Sequence, residues 1–170
     1  MYRNQIVTLH AVSELFEACV IVDLGGTLAH RGERPKESFH ERFLEDGIDE
    51  KMRDLVNLLY ASNVMIIILT GQWDTSRAIT QEWLRIHNVK HHNLFMKMGN
   101  LDKRDTLDFK EWFYTKIIKD LIPVNFVLED REEIVEMWRN LHVKCLQPAS
   151  GQDREYYKQK SLEKSQKIQN

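Results

Sequence analysis

The segment Asn63-Val-Met-Ile-Ile-Ile-Leu-Thr70 constrains the fold more than any other part of the chain. From Val64 to Leu69 it is apolar without a break and rich in β-branched side chains. A strand with one wet face alternates apolar and polar residues, whereas a continuous run reads as a strand covered on both faces, the habit of parallel sheets. Ala18 to Leu24 reads the same way, and Asn93–Met96, Asn125–Leu128 and Leu141–Leu146 are weaker versions. Amphipathic stretches lie between these runs. Met52, Leu55, Val56 and Leu59 recur at helical spacing, as do Ile79, Trp83 and Ile86, with Asp74, Thr75 and Ser76 available as caps. Phe109, Trp112, Phe113, Ile117 and Ile118 mark a further helix, and Ile134, Val135, Trp138 and Leu141 a last one. Alternating strands and helices imply βαβ units. The expectation is therefore α/β, a three-layer sandwich around a mainly parallel five-stranded central sheet. Residues 1–17 fit either a docking helix or a strand.

The chain has 170 residues, the size of one domain, which we place at 1–152. The stretch 153–170 is polar and mixed in charge, and reads as a surface helix or a disordered end. Lys and Arg total 24 against 26 Asp and Glu, so a whole-molecule basic field is absent and only local basic patches remain available. Cys19 and Cys145 sit in apolar runs, without the spacing of a disulfide framework or a metal site, and read as buried thiols in a reducing compartment. No secretory pattern opens the chain, and Val64–Leu69 is far too short to span a bilayer. A cytoplasmic protein with no membrane partner is expected.

In an open parallel sheet, ligands sit beyond the carboxyl ends of the strands. Strand one ends in Asp23-Leu-Gly-Gly-Thr27, strand two in Thr70-Gly71, and the fourth strand in Glu129-Asp130, while Lys110 lies in a helical segment. Each group has a use in phosphoryl transfer. The Asp23 carboxylate can attack phosphorus and divide one hard step into two. Gly25-Gly26 lets the backbone turn and aim N–H groups at phosphate oxygens. The Thr70 hydroxyl can donate to phosphate, and Lys110 supplies positive charge for the nucleophile and the phosphate. Asp130, with Glu129 beside it, offers the hard oxygen ligands that Mg²⁺ prefers. Gly26, Thr27 and Gly71 lie on the substrate side of the same turns.

This order of motifs resembles the four-motif signature of the haloacid-dehalogenase superfamily. From about residue 20 to 152 the resemblance narrows. The segments RDTLDFKEWF, FVLEDREEIVEMWR and VKCLQPASGQ are similar to the 3′-phosphatase domain of phage-type polynucleotide kinase-phosphatases. The resemblance implies Asp23 as nucleophile, Thr70 and Lys110 on phosphate, and Mg²⁺ held by Asp23, Asp130 and the Gly25 carbonyl. It further implies a substrate contact at Arg34, a minimal cap, and a phosphorylated nucleic-acid end or nucleotide as the partner. Nucleic-acid end repair would be the setting.

Two positions depart from that pattern. Gly25 stands where the family has a second aspartate, the general acid and base, a contribution of about 10²–10⁴-fold. Gln72 stands where those phosphatases carry an arginine after Thr-Gly, and an amide grips phosphate less firmly than a guanidinium fork. Arg77, one turn on, is a candidate substitute. No Gly-x-x-x-x-Gly-Lys-Ser/Thr spacing occurs among the seven glycines, so kinase activity is not expected.

Structural roles compete for each residue. Asp23 could cap a turn, Lys110 could be a solvated helix lysine, and Glu129-Asp130 could open the next helix. Trp83, Trp112 and Trp138 read as core, whereas Trp73 sits where a nucleobase could stack. His91-His92 read as loop residues rather than a zinc site. Arg31, Arg34 and Lys36 form either a solvated loop or a phosphate clamp.

Overall fold

Residues 2–30, 43–99 and 102–148 are described by the structure, a computed structural model. The elements in chain order are α1 (Arg3–Ser13), β1 (Cys19–Val22), β2 (Ala29–His30), β3 (Gly47–Ile48), α2 (Glu50–Ala61) and β4 (Met65–Trp73). There follow α3 (Arg77–Ile86), β5 (Asn93–Lys97), α4 (Thr106–Phe113), β6 (Val124–Leu128), α5 (Glu132–Asn140) and β7 (Cys145–Leu146). Five strands form one sheet in the order β5-β4-β1-β6-β7, and every neighbouring pair is parallel. The α/β sandwich expected from the apolar runs is the one observed.

The unbroken run in β4 is explained by its two neighbours. Met65, Ile67 and Leu69 face a core shared with Leu9 of α1, Phe109 and Phe113 of α4, and Trp138 of α5. Ile66 and Ile68 face the opposite layer, where Val56 of α2 meets Trp83 and Leu84 of α3. Each such side chain gains roughly 1.5–3 kcal/mol from leaving water, which accounts for the apolar residues on both faces from Met65 to Leu69.

Local chemistry sets the helix ends. Asp49 accepts a hydrogen bond from the Met52 N–H (3.0 Å) and Asp105 one from the Asp108 N–H (2.8 Å), capping α2 and α4. The caps expected for α3 are not formed. Asp74–Ser76 makes a 3-10 turn, and the Ser76 hydroxyl donates back to the Trp73 carbonyl at 2.7 Å. Asn63, Asn88 and His142 adopt positive φ (61°, 54° and 60°) directly after α2, α3 and α5. The His142 turn also shortens the last strand, expected over 141–146, to Cys145–Leu146.

Residues 1–17, ambiguous in sequence, contribute helix α1, and the Tyr2 hydroxyl just before it donates to the Met96 carbonyl (2.9 Å). Between β1 and α2 the described residues hold only the short β2–β3 antiparallel pair and a 3-10 turn at Phe43–Glu45, in keeping with a minimal cap. Arg31, Arg34, Lys36 and the polar stretch 153–170 lie outside the described residues. Among the described residues no helix is long and apolar enough to cross a membrane.

Strand β4 does not stop at Thr70-Gly71 as expected but continues to Trp73, which pairs with Lys97 after a register irregularity. Gly71 is the point of closest approach to α4. A β-carbon built there would lie 2.3 Å from Thr106 Cγ2 and 2.8 Å from Thr106 Cβ. Gly71→Ala must therefore push the start of α4 outward, and overpacking of this kind costs about 1–3 kcal/mol. Urea denaturation should register a loss of that size, and an unchanged midpoint would show that α4 is not seated on this glycine.

Candidate active site

The parallel sheet brings the C-terminal ends of β1, β4 and β6 to one rim. Asp23 follows β1 directly, and its N–H donates to the Leu128 carbonyl (2.9 Å), extending the β1–β6 ladder by one residue. That bond sets Asp23 beside Glu129 and Asp130, which follow β6. Carboxylate oxygens of the three lie within 4.8 Å of one another. Lys110 comes from α4, one turn past the Thr106–Gly71 contact. Its Nζ donates to Asp23 Oδ1 (2.5 Å) and to Glu129 Oε2 (2.5 Å). All four side chains are buried, with Glu129 0%, Lys110 1%, Asp130 1% and Asp23 6% exposed.

Burial works against the charge on Lys110, but the Asp23 and Glu129 carboxylates outweigh it and hold its pKa above the usual lysine range. Glu129 is pushed up to about 7, first by burial and then by the Asp23 charge, with Lys110 opposing. Both shifts have one origin, a dry cluster in which the Asp23 and Glu129 carboxylates share the Lys110 ammonium and Asp130 lies alongside. The three buried carboxylates supply hard oxygen donors close enough together to hold a metal ion.

The remaining expected site residues divide sharply. Thr70 is buried at the rim, and its hydroxyl oxygen accepts from the Gln72 N–H (3.3 Å), leaving the hydroxyl proton for another acceptor. Thr27, expected on the substrate side, donates instead to Asp130 Oδ1 (3.3 Å). Gly26 takes φ 105° and spends its N–H on the Ala29 carbonyl (2.8 Å), so it shapes the loop rather than offering that N–H to phosphate. Gly25 is exposed beside the buried Asp23. Gly71 seats α4, as described above. Arg77 does not join the rim, because its Nη1 donates to the Leu94 carbonyl (3.1 Å) on the edge strand, two strands from β1. Arg34 lies outside the described residues. Glu129, expected as a metal ligand, has one oxygen engaged by Lys110 and the other by the Arg131 N–H (3.3 Å).

Other features were not foreseen. Gln147 Nε2 donates to the Asp130 carbonyl (3.1 Å), tying β7 to the acidic pair. Gln72 is buried and accepts from the Thr80 hydroxyl (3.0 Å), so its amide is drawn toward α3. An apolar-pattern reading carries no signal for either contact.

The architecture recurs in solved proteins. Chains from two structures of a Pnkp1/Rnl/Hen1 complex, one described as an RNA repair complex, match 80% of this chain at 26% and 27% identity, with TM-scores of 0.73 and 0.71. The match spans 43% and 47% of those chains. A Clostridium difficile protein assigned as a phosphatase matches 81% of this chain and 88% of its own, at 13% identity and a TM-score of 0.55, and so speaks to the fold alone. Fold and rim together define a phosphatase domain of the haloacid-dehalogenase superfamily. Within that class, the family model of the polynucleotide kinase PNKP phosphatase domain matches residues 17–152, and the chain belongs to that family. A protein of Autographa californica nuclear polyhedrosis virus, named as a bifunctional polynucleotide kinase/RNA ligase, is 26% identical over 137 residues. That alignment takes in 78% of this chain and 19% of the viral protein.

The cluster makes stability depend on pH. Glu129 has a folded pKa raised above its value of 4.5 in an exposed chain, so the folded state binds the proton more tightly. Its contribution is fully present below pH 4.5 and is lost as pH rises through about 7. In EDTA, the melting temperature should fall across that window, and Glu129→Gln should flatten the slope. Lys110→Met strands two buried carboxylates and should cost about 3–5 kcal/mol near neutral pH, and less in acid, where Glu129 takes up a proton. A Lys110→Met protein as stable as the parent at pH 7 would contradict this electrostatic account.

Proposed function

We propose that the domain is a Mg²⁺-dependent phosphomonoesterase that removes phosphate from the 3′ end of a polynucleotide or from a nucleotide, through a covalent phosphate on Asp23. The observation that carries this reading is the Lys110 ammonium held between Asp23 and Glu129 in a buried rim that also contains Asp130. The names of the matched relatives, a polynucleotide kinase phosphatase domain and an RNA repair complex, support the choice of substrate.

In this scheme an Asp23 carboxylate oxygen bonds to phosphorus as the ester P–O bond breaks, and the phosphate is later transferred to water, which releases the free carboxylate. Lys110 neutralises charge on both partners and fixes the rotamer of the nucleophile. Thr70 donates its remaining proton to a phosphate oxygen. Asp23, Asp130 and the Gly25 carbonyl would hold Mg²⁺, which supplies Lewis-acid charge screening between phosphate and carboxylate. Thr27 and Gln147 keep Asp130 in place from its side chain and its backbone. Glu129, with both oxygens engaged, serves as the counter-charge for Lys110. Because Gly25 brings no carboxylate, the proton for the leaving alkoxide comes from water, which reaches this exposed position.

A second reading, a binding or regulatory module on the same fold, is favoured by Gly25 and by Gln72, whose amide carbonyl is committed to Thr80. The decisive assay gives purified protein a 3′-phosphorylated oligonucleotide with Mg²⁺. The parent should release phosphate, and Asp23→Asn should reduce release by about 10³-fold or more. Equal background release from the two proteins would end the hydrolytic reading. Positive φ among the described glycines occurs at Gly26 and Gly99, so a side chain at Gly25 meets no such backbone penalty. Gly25→Asp should therefore fold, and a rate gain approaching about 10²-fold is the outcome for an enzyme lacking only its general acid. A rate loss would instead mark a site fitted to glycine.

A further inference from the structure

Beyond Thr70, the rim carries charge and aromatic surface that the hydrolytic centre leaves unused. Lys97 ends β5 beside Trp73 of β4, and its Nζ lies 4.1 Å from the Trp73 ring centroid. The lysine is only 5% exposed. The neighbouring carboxylate, Asp102, is taken by Arg104 in two bonds of 2.7 Å, and the Arg104 guanidinium lies 3.7 Å from the Trp112 ring. Asp102 thus bonds Arg104 directly and acts on Lys97 only through space. A lysine nine-tenths buried that makes no salt bridge or hydrogen bond among the described residues, with an aromatic ring against its ammonium, is uncommon, because burial penalises a charge held only through space. The ring offsets part of that penalty, and an anion would offset more. The half-buried indole supplies the complementary surface for a base. Trp73 and Lys97 sit at the same end of the sheet as Asp23, Trp73 on the adjacent strand and Lys97 two strands over, roughly 10 Å to the side.

We propose that Trp73 and Lys97 form a nucleotide subsite, the indole stacking on a base and the ammonium meeting the phosphodiester that precedes the 3′-terminal phosphate. The inference rests on the polynucleotide reading above and adds residues that read the strand rather than the phosphate being removed. It also gives the extension of β4 beyond Thr70 a purpose, since without those extra residues Trp73 would not lie against Lys97.

Binding is the cleanest test, because it does not require turnover. An Asp23→Asn protein would be titrated with a fluorescent, 3′-phosphorylated single-stranded oligonucleotide in Mg²⁺ over a range of salt. Trp73→Leu in that background should weaken binding about tenfold, with Trp73→Phe intermediate. Lys97→Met should lower the slope of log affinity against log salt by about 0.7, the value for one lost contact to a single strand. Thermal melts identify any variant that has unfolded, and the Phe variant covers loss of the Leu protein. Affinities of both Trp73 variants within twofold of the Asp23→Asn protein, or an unchanged slope for Lys97→Met, would overturn the subsite alone. An Asp23→Asn protein that binds this oligonucleotide no better than its unphosphorylated counterpart would overturn the polynucleotide reading, and the subsite with it.

Discussion

The ammonium of Lys110 lies between Asp23 and Glu129, and nearly every other feature of the rim serves to keep it there. A lysine that is 1% exposed cannot recover its lost hydration from water, so both carboxylates must stay within hydrogen-bond reach. Asp23 stays because its own N–H continues the β1–β6 ladder. Glu129 stays because its second oxygen takes the Arg131 N–H at the start of α5. The lysine reaches them because α4 is seated on Gly71. Three elements distant in sequence are thereby locked to one atom, and the sheet order that places β1 between β4 and β6 makes the meeting geometrically simple.

The carboxylates also press on one another. Burial together with the neighbouring Asp23 and Asp130 charges raises Glu129 even though Lys110 opposes the shift. Lysine supplies a permanent share of the neutralisation, so the fold does not depend on a cation to bring the acidic groups together. This differs from small metal-organised domains, whose ligands meet only when the ion binds.

Much of this was legible in the residues. Unbroken β-branched runs announced strands buried on both faces, and the order Asp23, Thr70, Lys110, Glu129-Asp130 announced the rim. What escaped has a physical explanation. The length of β4 was underestimated because Gly71 and Gln72 carry no strand signal, and only pairing with β5 recruits them. The Ser76 cap failed because that residue lies in a 3-10 turn at φ -94° and ψ 10°, without the extended backbone that Asp49 and Asp105 bring to their caps. Arg77 looked like a substitute for a missing phosphate grip, but a 3-10 turn separates it from the end of β4, and its guanidinium is held by the Leu94 carbonyl of the edge strand. Thr27 and Gly26 were assigned to phosphate because their neighbours were. Their hydrogen bonds close the loop upon Asp130 and Ala29, a distinction that depends on three-dimensional partners.

The close approach at Gly71 has a consequence for how such a domain can diversify. With no room for even a methyl group opposite Thr106, that position is closed to variation while α4 keeps its seat. The side chains that follow are anchored elsewhere, Gln72 to Thr80 of α3 and Trp73 against Lys97 of β5. The placement of the buried lysine thus hangs on bulk excluded at one backbone position, and not on the side chains next to it.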